Sequence, residues 1–271
     1  MTMMRSSAAL LLLAAPLCFA VDLKPETTAA FNHYVSLSES RMSGEVKSGP
    51  FLYIDALPSV DRNAVLADLK AGQVVSHSLE TQDHGKTIDI PDGLVHHWMG
   101  IVFIPGTTLQ KTLSFLQDYN EQSRFYSPDV QRSRLLEVNG NHYKVFMQLK
   151  KTKVVTVYLD SEYDVVYTQL DANRAISDSR STRITEVEKV GTPDEYTKPV
   201  GRDSGYMWRL NSYWRFLERD GGVYVQLEAI SLTRDIPTGL GWLVRPFVTT
   251  IPRESLDFTL SRTRDALANK H

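Results

Sequence analysis

Cysteine is nearly missing from this sequence: its 271 residues include one, Cys18, near the N-terminus. A disulfide framework is therefore excluded, and the fold depends on a packed core. An excess of charge of one sign is missing as well, because the formal net charge is −2 and no long run of like charges occurs. This balance gives no indication of binding to an anionic membrane surface, and we predict no nucleic-acid partner.

Long hydrophobic runs are also missing. The run from Ala8 to Ala15 is too short for a transmembrane helix, which needs about 20 apolar residues, and no later segment comes close. With its basic start and the Cys18-Phe19-Ala20 end, it is typical of a secretory signal peptide cleaved before Val21. We therefore expect a mature protein exported to the periplasm or the extracellular space. Acylation of Cys18 is the weaker alternative, because Pro16-Leu17 stands where lipoprotein processing prefers a small residue.

Motifs that carry known chemistry are absent. The sequence has no H-E-x-x-H, no C-x-x-C, no G-x-S-x-G and no phosphate-binding glycine loop. His96 and His97 are neighbours in a β-prone run, so their side chains point to opposite faces and cannot bind one metal ion together. The other histidines show no metal-ligand spacing. We predict no catalytic residue, no metal and no cofactor.

Apolar spacing predicts the order of the elements before the C-terminal quarter. Helices are predicted from Pro25 to Arg41 and from Pro58 to Leu69, with a short strand from Phe51 to Ile54 between them. The β-prone run from His97 to Ile104 follows, and a helix from Leu109 to Tyr119 then begins after a threonine cap. Alternating or apolar patterns predict further strands at 135–138, 143–149, 153–159, 164–170 and 183–187, with one turn at Asn139-Gly140-Asn141 and another near Asp160-Ser161.

A hairpin near the C-terminus has the strongest strand pattern, with strands from Tyr206 to Leu217 and from Val223 to Leu232. If Arg219 faces Gly222 across the turn, Phe216 faces Val225, Trp214 faces Leu227, Ser212 faces Ala229 and Leu210 faces Ser231. One side of the hairpin is then nearly all apolar, whereas the other side pairs Arg215 with Gln226 and Tyr213 with Glu228. A shift of one residue would invert the two sides, so the pattern favours this register.

The chain ends in a predicted amphipathic helix that begins near Pro252 and carries Leu256, Leu260, Thr263 and Leu267 on one side. Antiparallel strands after one strand-helix unit, closed by a helix, predict an α+β fold. We assign residues 1–20 to the signal peptide, 21–95 to an N-terminal, mainly helical extension and 96–271 to the main domain.

The element order from His97 to Leu267, and above all the segment GGVYVQLEAISLTRDIPTGLGWLVRPFV, resembles the START-like superfamily of helix-grip folds. That superfamily includes polyketide cyclases and lipid-transfer domains, and the segment is similar to its secreted bacterial members. The resemblance implies a curved antiparallel sheet wrapped around the C-terminal helix, with an apolar pocket between them. Residues 22–95 lie outside the resemblance.

The apolar side of the hairpin is the predicted lining of this pocket. The predicted lining residues are Trp208, Leu210, Trp214, Phe216, Val225 and Leu227 from the hairpin, and Leu256 and Leu260 from the helix. A ligand held there would be a hydrophobic small molecule or a lipid. The same side chains are also typical core material, so a solid core is the alternative.

Glu228 is the main candidate for polar chemistry on the hairpin. With Arg209, Arg215 or Arg234 it would grip a ligand head group, or it would accept a proton if it were buried. The hairpin register instead places Glu228 and Arg215 on the side away from the helix. We therefore predict a surface ion pair there.

The leading interpretation is an exported START-like domain that binds or carries a hydrophobic molecule without catalysing a reaction. A cyclase- or hydratase-type enzyme that uses the same pocket is one alternative, and it predicts a buried carboxylate or histidine inside the cavity. A cell-envelope interaction module with a filled core is the other, and it predicts a large exposed apolar patch in the extension.

Overall fold

A computed structural model describes residues 21–153, 155–235 and 250–268. The predicted signal peptide lies outside these residues. The helices are α1 (Pro25–Ser48), α2 (Tyr53–Ala56), α3 (Ser59–Lys70), α4 (Leu109–Gln117), α5 (Gln122–Phe125) and α6 (Ile251–Ala268). The strands are β1 (Val21–Asp22), β2 (Val75–Ser78), β3 (Gln82–Asp83), β4 (Lys86–Thr87), β5 (Gly93–Pro105), β6 (Val130–Asn139), β7 (His142–Thr152), β8 (Thr156–Gln169), β9 (Arg174–Glu188), β10 (Tyr196–Thr197), β11 (Arg202–Asp203), β12 (Arg209–Arg219) and β13 (Gly222–Arg234).

One nine-stranded antiparallel sheet dominates the described part of the chain, in the order β2-β5-β13-β12-β9-β8-β7-β6, with β10 paired to β9. The C-terminal helix α6 packs against β5 and β13 on one face, which we call the inner face. This sheet closed by a C-terminal helix is the α+β, helix-grip architecture that the sequence predicted. The predicted extension, residues 21–95, also contributes β2 to the sheet.

The C-terminal hairpin has the predicted register. Arg219 pairs with Gly222, and the pairs continue through Phe216 with Val225 to Leu210 with Ser231. The turn fixes this register because Asp220 and Gly221 both have positive φ angles, 59° and 75°, as a two-residue hairpin turn requires. The side chains therefore alternate between the faces as the pattern indicated.

The outer face of the sheet is covered rather than exposed to solvent. Helix α1 packs Phe31 and Tyr34 against Tyr213 and Ile230. Further along the same face, a second buried cluster packs residues of α1, α2, α3 and the loop before α2 against β5, β12 and β13. The sequence could not show this layer, because the helical pattern of residues 25–70 does not say which surface the helices cover.

Two local predictions were wrong. The segment from Phe51 to Ile54 is not a strand, since Tyr53–Ala56 is the short helix α2. The two strands predicted on either side of Asp160-Ser161 are one strand, β8. These polar residues stay inside the sheet because their groups are satisfied there: Gln148 donates to Asp160 at 2.9 Å, and Ser161 donates to the Met147 carbonyl at 2.8 Å.

A single glycine sets how closely α6 approaches the sheet. A Cβ atom added at Gly100 of β5 would lie 2.3 Å from Cδ2 of Leu256 and 2.8 Å from Cδ1 of Leu260. Both leucines are buried, and burying each contributes roughly 1.5 to 3 kcal/mol. Gly100 therefore lets the apolar side of α6 sit directly on the strand.

Candidate functional site

A cavity of about 290 Å³ lies between the inner face of the sheet and α6. Its wall includes residues from β5, β7, β8, β9, β12 and β13, the C-terminal end of α4, and the first half of α6. Most of these side chains are apolar or aromatic, as in the usual sites for small organic ligands.

Small side chains in the middle of the inner face create the cavity. Ser212 of β12 pairs with Ser179 of β9 on one side and with Ala229 of β13 on the other. Ser177 lies on the same face two residues from Ser179 on β9, and Ser231 lies two residues from Ala229 on β13. All five of these residues line the cavity. Larger side chains would fill this volume, as they do where the core closes beyond it. The small side chains on these three neighbouring strands leave space between the sheet and the helix.

Four of the eight predicted lining residues reach the cavity: Leu210, Trp214, Leu227 and Leu256. Phe216, Val225 and Leu260 have the predicted orientation but belong to the solid core next to the cavity. One part of the apolar side of the hairpin is therefore pocket wall, as predicted, and the other part is solid core, as the alternative held.

Trp208 lies on the outer face, in contrast to its prediction as a lining residue. It precedes the first residue of β12, so the strand alternation does not extend to it. Its indole N–H donates to Asp203 Oδ1 at 3.0 Å, and its ring packs in the cluster that contains Phe31 and Ile230. The hydrogen bond to a buried carboxylate and the packing against α1 determine its position.

Several wall residues outside the hairpin were not predicted. Tyr163, Val165 and Tyr167 of β8 face the cavity, together with Tyr119, two residues after α4, and Tyr126, just after α5. The alternation of Tyr163, Val165 and Tyr167 was visible in the sequence and indicated one face of a strand. What the sequence did not show is that this face lies across the cavity from the hairpin.

Tyrosine hydroxyls form one polar part of the wall. The hydroxyls of Tyr119 and Tyr167 are 2.9 Å apart, and the hydroxyl of Tyr126 lies 2.8 Å from that of Thr263 on α6. Burial raises the pKa of Tyr167 to about 12 and the pKa of Tyr119 well above its ordinary value. These groups are therefore uncharged hydrogen-bonding partners near neutral pH.

His96 forms a second polar part of the wall. Its Nε2 lies 3.0 Å from the Thr233 hydroxyl, on the inner face of β5 and β13. Burial lowers the pKa of His96 to about 4, so the ring is neutral near pH 7. His97 points to the opposite face, as predicted for neighbours on a strand.

Glu228 and Arg215 are buried on the outer face, so the prediction of a surface ion pair was wrong. They are not paired with each other: Arg215 contacts Glu45 of α1 at 2.6 Å, whereas Glu228 contacts Arg41 and accepts a hydrogen bond from His97 at 2.7 Å. Burial alone would raise the pKa of Glu228, but the contacts with His97 and Arg41 outweigh burial and hold the pKa below its ordinary value. The sheet separates Glu228 from the cavity.

The described chain is similar to several solved structures, among them a START superfamily protein from Mycobacterium smegmatis, with 7% identity, a TM-score of 0.39, and coverage of 63% of this chain and 96% of that one. Among solved structures it is similar to the STAR-related lipid transfer protein from Xanthomonas axonopodis, with 19% identity, a TM-score of 0.44, and coverage of 70% of this chain and 98% of that one. It is also similar to a human lipid transfer and protein localization domain, with 6% identity, a TM-score of 0.44, and coverage of 78% and 98%. Another is the Zhui aromatase/cyclase from a Streptomyces species, with 12% identity, a TM-score of 0.44, and coverage of 64% and 94%. A scan of protein-family models and a comparison with curated protein sequences found no match.

Two further features of the described residues concern membranes and metals. No helix among them is both long and apolar enough to span a membrane. No group of three or more histidine, cysteine or acidic side chains in the same residues is arranged to hold a metal ion.

Proposed function

We propose that this protein binds one hydrophobic small molecule, such as a lipid or a polyketide-like compound, in the cavity between the sheet and α6. The observation that carries the proposal is the cavity itself. Small side chains on three adjacent strands leave about 290 Å³ opposite the apolar side of α6. This volume is near the lower end of the range for drug-sized ligands, which favours a single compact or single-chain molecule.

Carriage without catalysis fits the wall better than an enzymatic role. A general base works best when its pKa is near the working pH, and the pKa of His96, at about 4, is well below that. Glu228, the other buried candidate, lies on the opposite side of the sheet. His96 nevertheless supplies the one observation that favours a cyclase- or hydratase-type enzyme, because that alternative requires a buried histidine or carboxylate inside the cavity.

Native mass spectrometry of the purified protein tests the proposal, with a neutral dye such as Nile red as the added ligand. We expect an apolar molecule to co-purify or the dye to bind with one-to-one stoichiometry. Trp98 and Trp214 line the cavity, so their emission should change on binding. Release of a chemically altered product from an added polyketide-like substrate would favour the enzyme instead.

A cavity-filling variant connects binding to this site. Ser212→Phe places a large side chain in the middle of the wall and should weaken dye binding by roughly tenfold or more, the effect of losing about 1.4 kcal/mol. The matched control is Thr168→Phe, because Thr168 is exposed on β8. If both variants are purified without a bound molecule and then bind the dye equally well, the result would contradict the proposed site.

We also propose that the protein is exported after removal of residues 1–20. The basic start, the short apolar run and the small residue before Val21 support this. The intact mass of the protein recovered from a periplasmic or extracellular fraction tests the proposal. A mass that includes residues 1–20, found in the cytoplasm, would contradict it.

A further inference from the structure

The charges on the cavity wall restrict the ligand. Among the described residues that line the cavity, the formally charged side chains are Lys151 and Asp129, and these form an ion pair with each other. A charged ligand group would therefore be removed from water with no free counter-ion from these residues. Burial of an unpaired charge is strongly unfavourable, so this wall favours an uncharged ligand.

The hydrogen bonds around His96 determine which ring nitrogen carries the proton. The Thr233 hydroxyl donates its one hydrogen to the Arg234 carbonyl at 3.2 Å. It must then accept from His96, so Nε2 of His96 carries the hydrogen at 3.0 Å. In a neutral imidazole the other nitrogen is an acceptor, which leaves a lone pair on Nδ1. None of the described residues supplies a hydrogen bond to this atom.

Large apolar side chains lie near His96 in the cavity wall. Trp98 follows His96 on the inner face of β5, and Leu210 lies two strands away in the same row, with Ser231 between them. A ligand that reaches His96 therefore has its apolar body against Trp98 and Leu210. An acceptor in such surroundings selects for a hydrogen-bond donor, because a group that cannot donate would leave Nδ1 desolvated and unpaired.

We propose that Nδ1 of His96 accepts a hydrogen bond from a hydroxyl group of the ligand, and that the ligand is an uncharged amphiphile with an apolar body. Long-chain alcohols, sterol-like alcohols and polycyclic phenols belong to this chemical class, whereas carboxylates and phosphate esters do not. This inference rests on the proposed function, since it names the kind of molecule that the same cavity holds.

Matched ligands test the inference on the full-length mature protein. The three ligands have similar chains and differ in the head group. Dodecan-1-ol has a hydroxyl donor, 1-methoxydodecane has no donor, and dodecanoate has a negative charge. Binding is measured at about pH 7.5 by tryptophan emission and by displacement of Nile red. We expect the alcohol to bind about tenfold more tightly than the ether, because one hydrogen bond of about 1.4 kcal/mol makes that difference. The alcohol should also bind more tightly than the carboxylate.

Variants then assign the preference to His96. His96→Leu should bind the ether about as well as the wild type does and should lose the preference for the alcohol. His96→Gln, which keeps an acceptor, should retain part of it. His142→Leu is the control, because His142 is exposed at the start of β7. If His96→Leu does not fold, the comparison of alcohol with ether in the wild type still decides the inference.

The outcomes separate the two proposals. Equal affinity of the wild type for alcohol and ether, or tightest binding of the carboxylate, overturns this inference and leaves the proposed function standing. Unchanged alcohol preference in folded His96→Leu also overturns it. If none of the three ligands binds and Nile red is not taken up, the proposed function fails and this inference fails with it.

Discussion

The Glu228 carboxylate accepts a hydrogen bond from the His97 ring, with 2.7 Å between Oε1 and Nε2. Both side chains are buried on the outer face of the sheet, where Arg41 of α1 contacts the same carboxylate oxygen. The Tyr34 hydroxyl, also on α1, lies 3.0 Å from Nδ1 of His97. Each partner offsets part of the desolvation cost of burying the others, so this polar cluster joins the N-terminal extension to the sheet.

Replacing Glu228 tests the strength of this junction. Glu228→Gln keeps the shape but removes the buried negative charge that Arg41 and His97 contact. Arg41 is 40% exposed and keeps its pair with Glu45, so we expect the unfolding free energy to fall by about 1 to 3 kcal/mol at neutral pH. The folded-state pKa of Glu228 is lowered, so its contribution is present above the ordinary value of 4.5 and is lost as pH falls through the folded-state pKa. Urea unfolding between about pH 3 and pH 7 measures both effects.

The control for this substitution is Glu137→Gln, since the Glu137 side chain is 57% exposed and its pair with Lys144 lies at the surface. Such a pair contributes about 1 kcal/mol or less. Equal stability of the two variants at every pH would show that the buried cluster does not hold the extension in place.

Asp203 should make the protein less stable as pH rises. It is buried, and Oδ1 accepts from Gly205 and Trp208, whereas Oδ2 has no hydrogen-bond partner in the described structure. Burial first, and then the charge of Glu186, raises its pKa from 3.8 to about 6. The folded state therefore holds this proton more tightly than the unfolded state, and stability is lost as pH rises from about 4 to 6.

Asp203→Asn removes this ionisation. We expect the variant to be more stable than the wild type by about 1 to 2 kcal/mol above pH 6, with a flatter profile between about pH 4 and pH 6. Thermal unfolding across that range measures it, and Asp194→Asn serves as the control because its side chain is 79% exposed. Parallel pH profiles for Asp203→Asn and the wild type would contradict the prediction.

Adding even one methyl group at Gly100 should destabilise the protein. Gly100→Ala forces Leu256 and Leu260 to shift, and such overpacking typically costs about 1 to 3 kcal/mol. Because Leu256 lines the cavity, we also expect weaker dye binding. The matched control is Gly44→Ala in α1, where an added Cβ meets nothing within 4 Å and should stabilise the helix by about 0.5 to 1 kcal/mol. Stabilisation by both substitutions would rule out close contact at Gly100.

The hydroxyl of Thr263 should fix α6 to the wall of the cavity. Thr263 donates to the Thr259 carbonyl at 2.8 Å, so it accepts from Tyr126, 2.8 Å away. Thr263→Val leaves the buried Tyr126 hydroxyl without this partner, at a cost of about 1 to 3 kcal/mol. Thr263→Ser keeps the hydroxyl and should lose less stability. Denaturant unfolding compares the two, and a larger loss for serine would contradict this role.

The sequence predicted the parts of the fold that depend on local pattern. The hairpin register was correct because the turn and the two alternating strands agree, and the wrong register would have placed Trp214 and Phe216 on the charged side. The interruption predicted at Asp160-Ser161 was wrong because polar residues are typical of turns, whereas here Gln148 and the Met147 carbonyl satisfy them within the sheet.

The candidate site was only partly predictable, because it depends on which surfaces meet. A strand pattern shows that Glu228 and Leu227 point to opposite sides, but not that α1 supplies Arg41 to cover Glu228. In the same way, Phe216 and Trp214 have equivalent positions in the pattern. On β9, Trp214 pairs with Ser177 and Phe216 pairs with Ala175, so both have a small neighbour. The difference between core and cavity therefore depends on the elements packed over the sheet, which a strand pattern does not show.

Strand β5 carries two imidazole rings in succession, His96 in the cavity and His97 in the layer beneath α1, on alpha carbons about 3.8 Å apart. Their magnetic resonance signals are therefore built-in reporters for two compartments of the same molecule. A ligand that enters the cavity perturbs the ring signal of His96 first, whereas detachment of the N-terminal helices perturbs that of His97. Comparison of the two signals during a titration shows whether filling one compartment loosens the other.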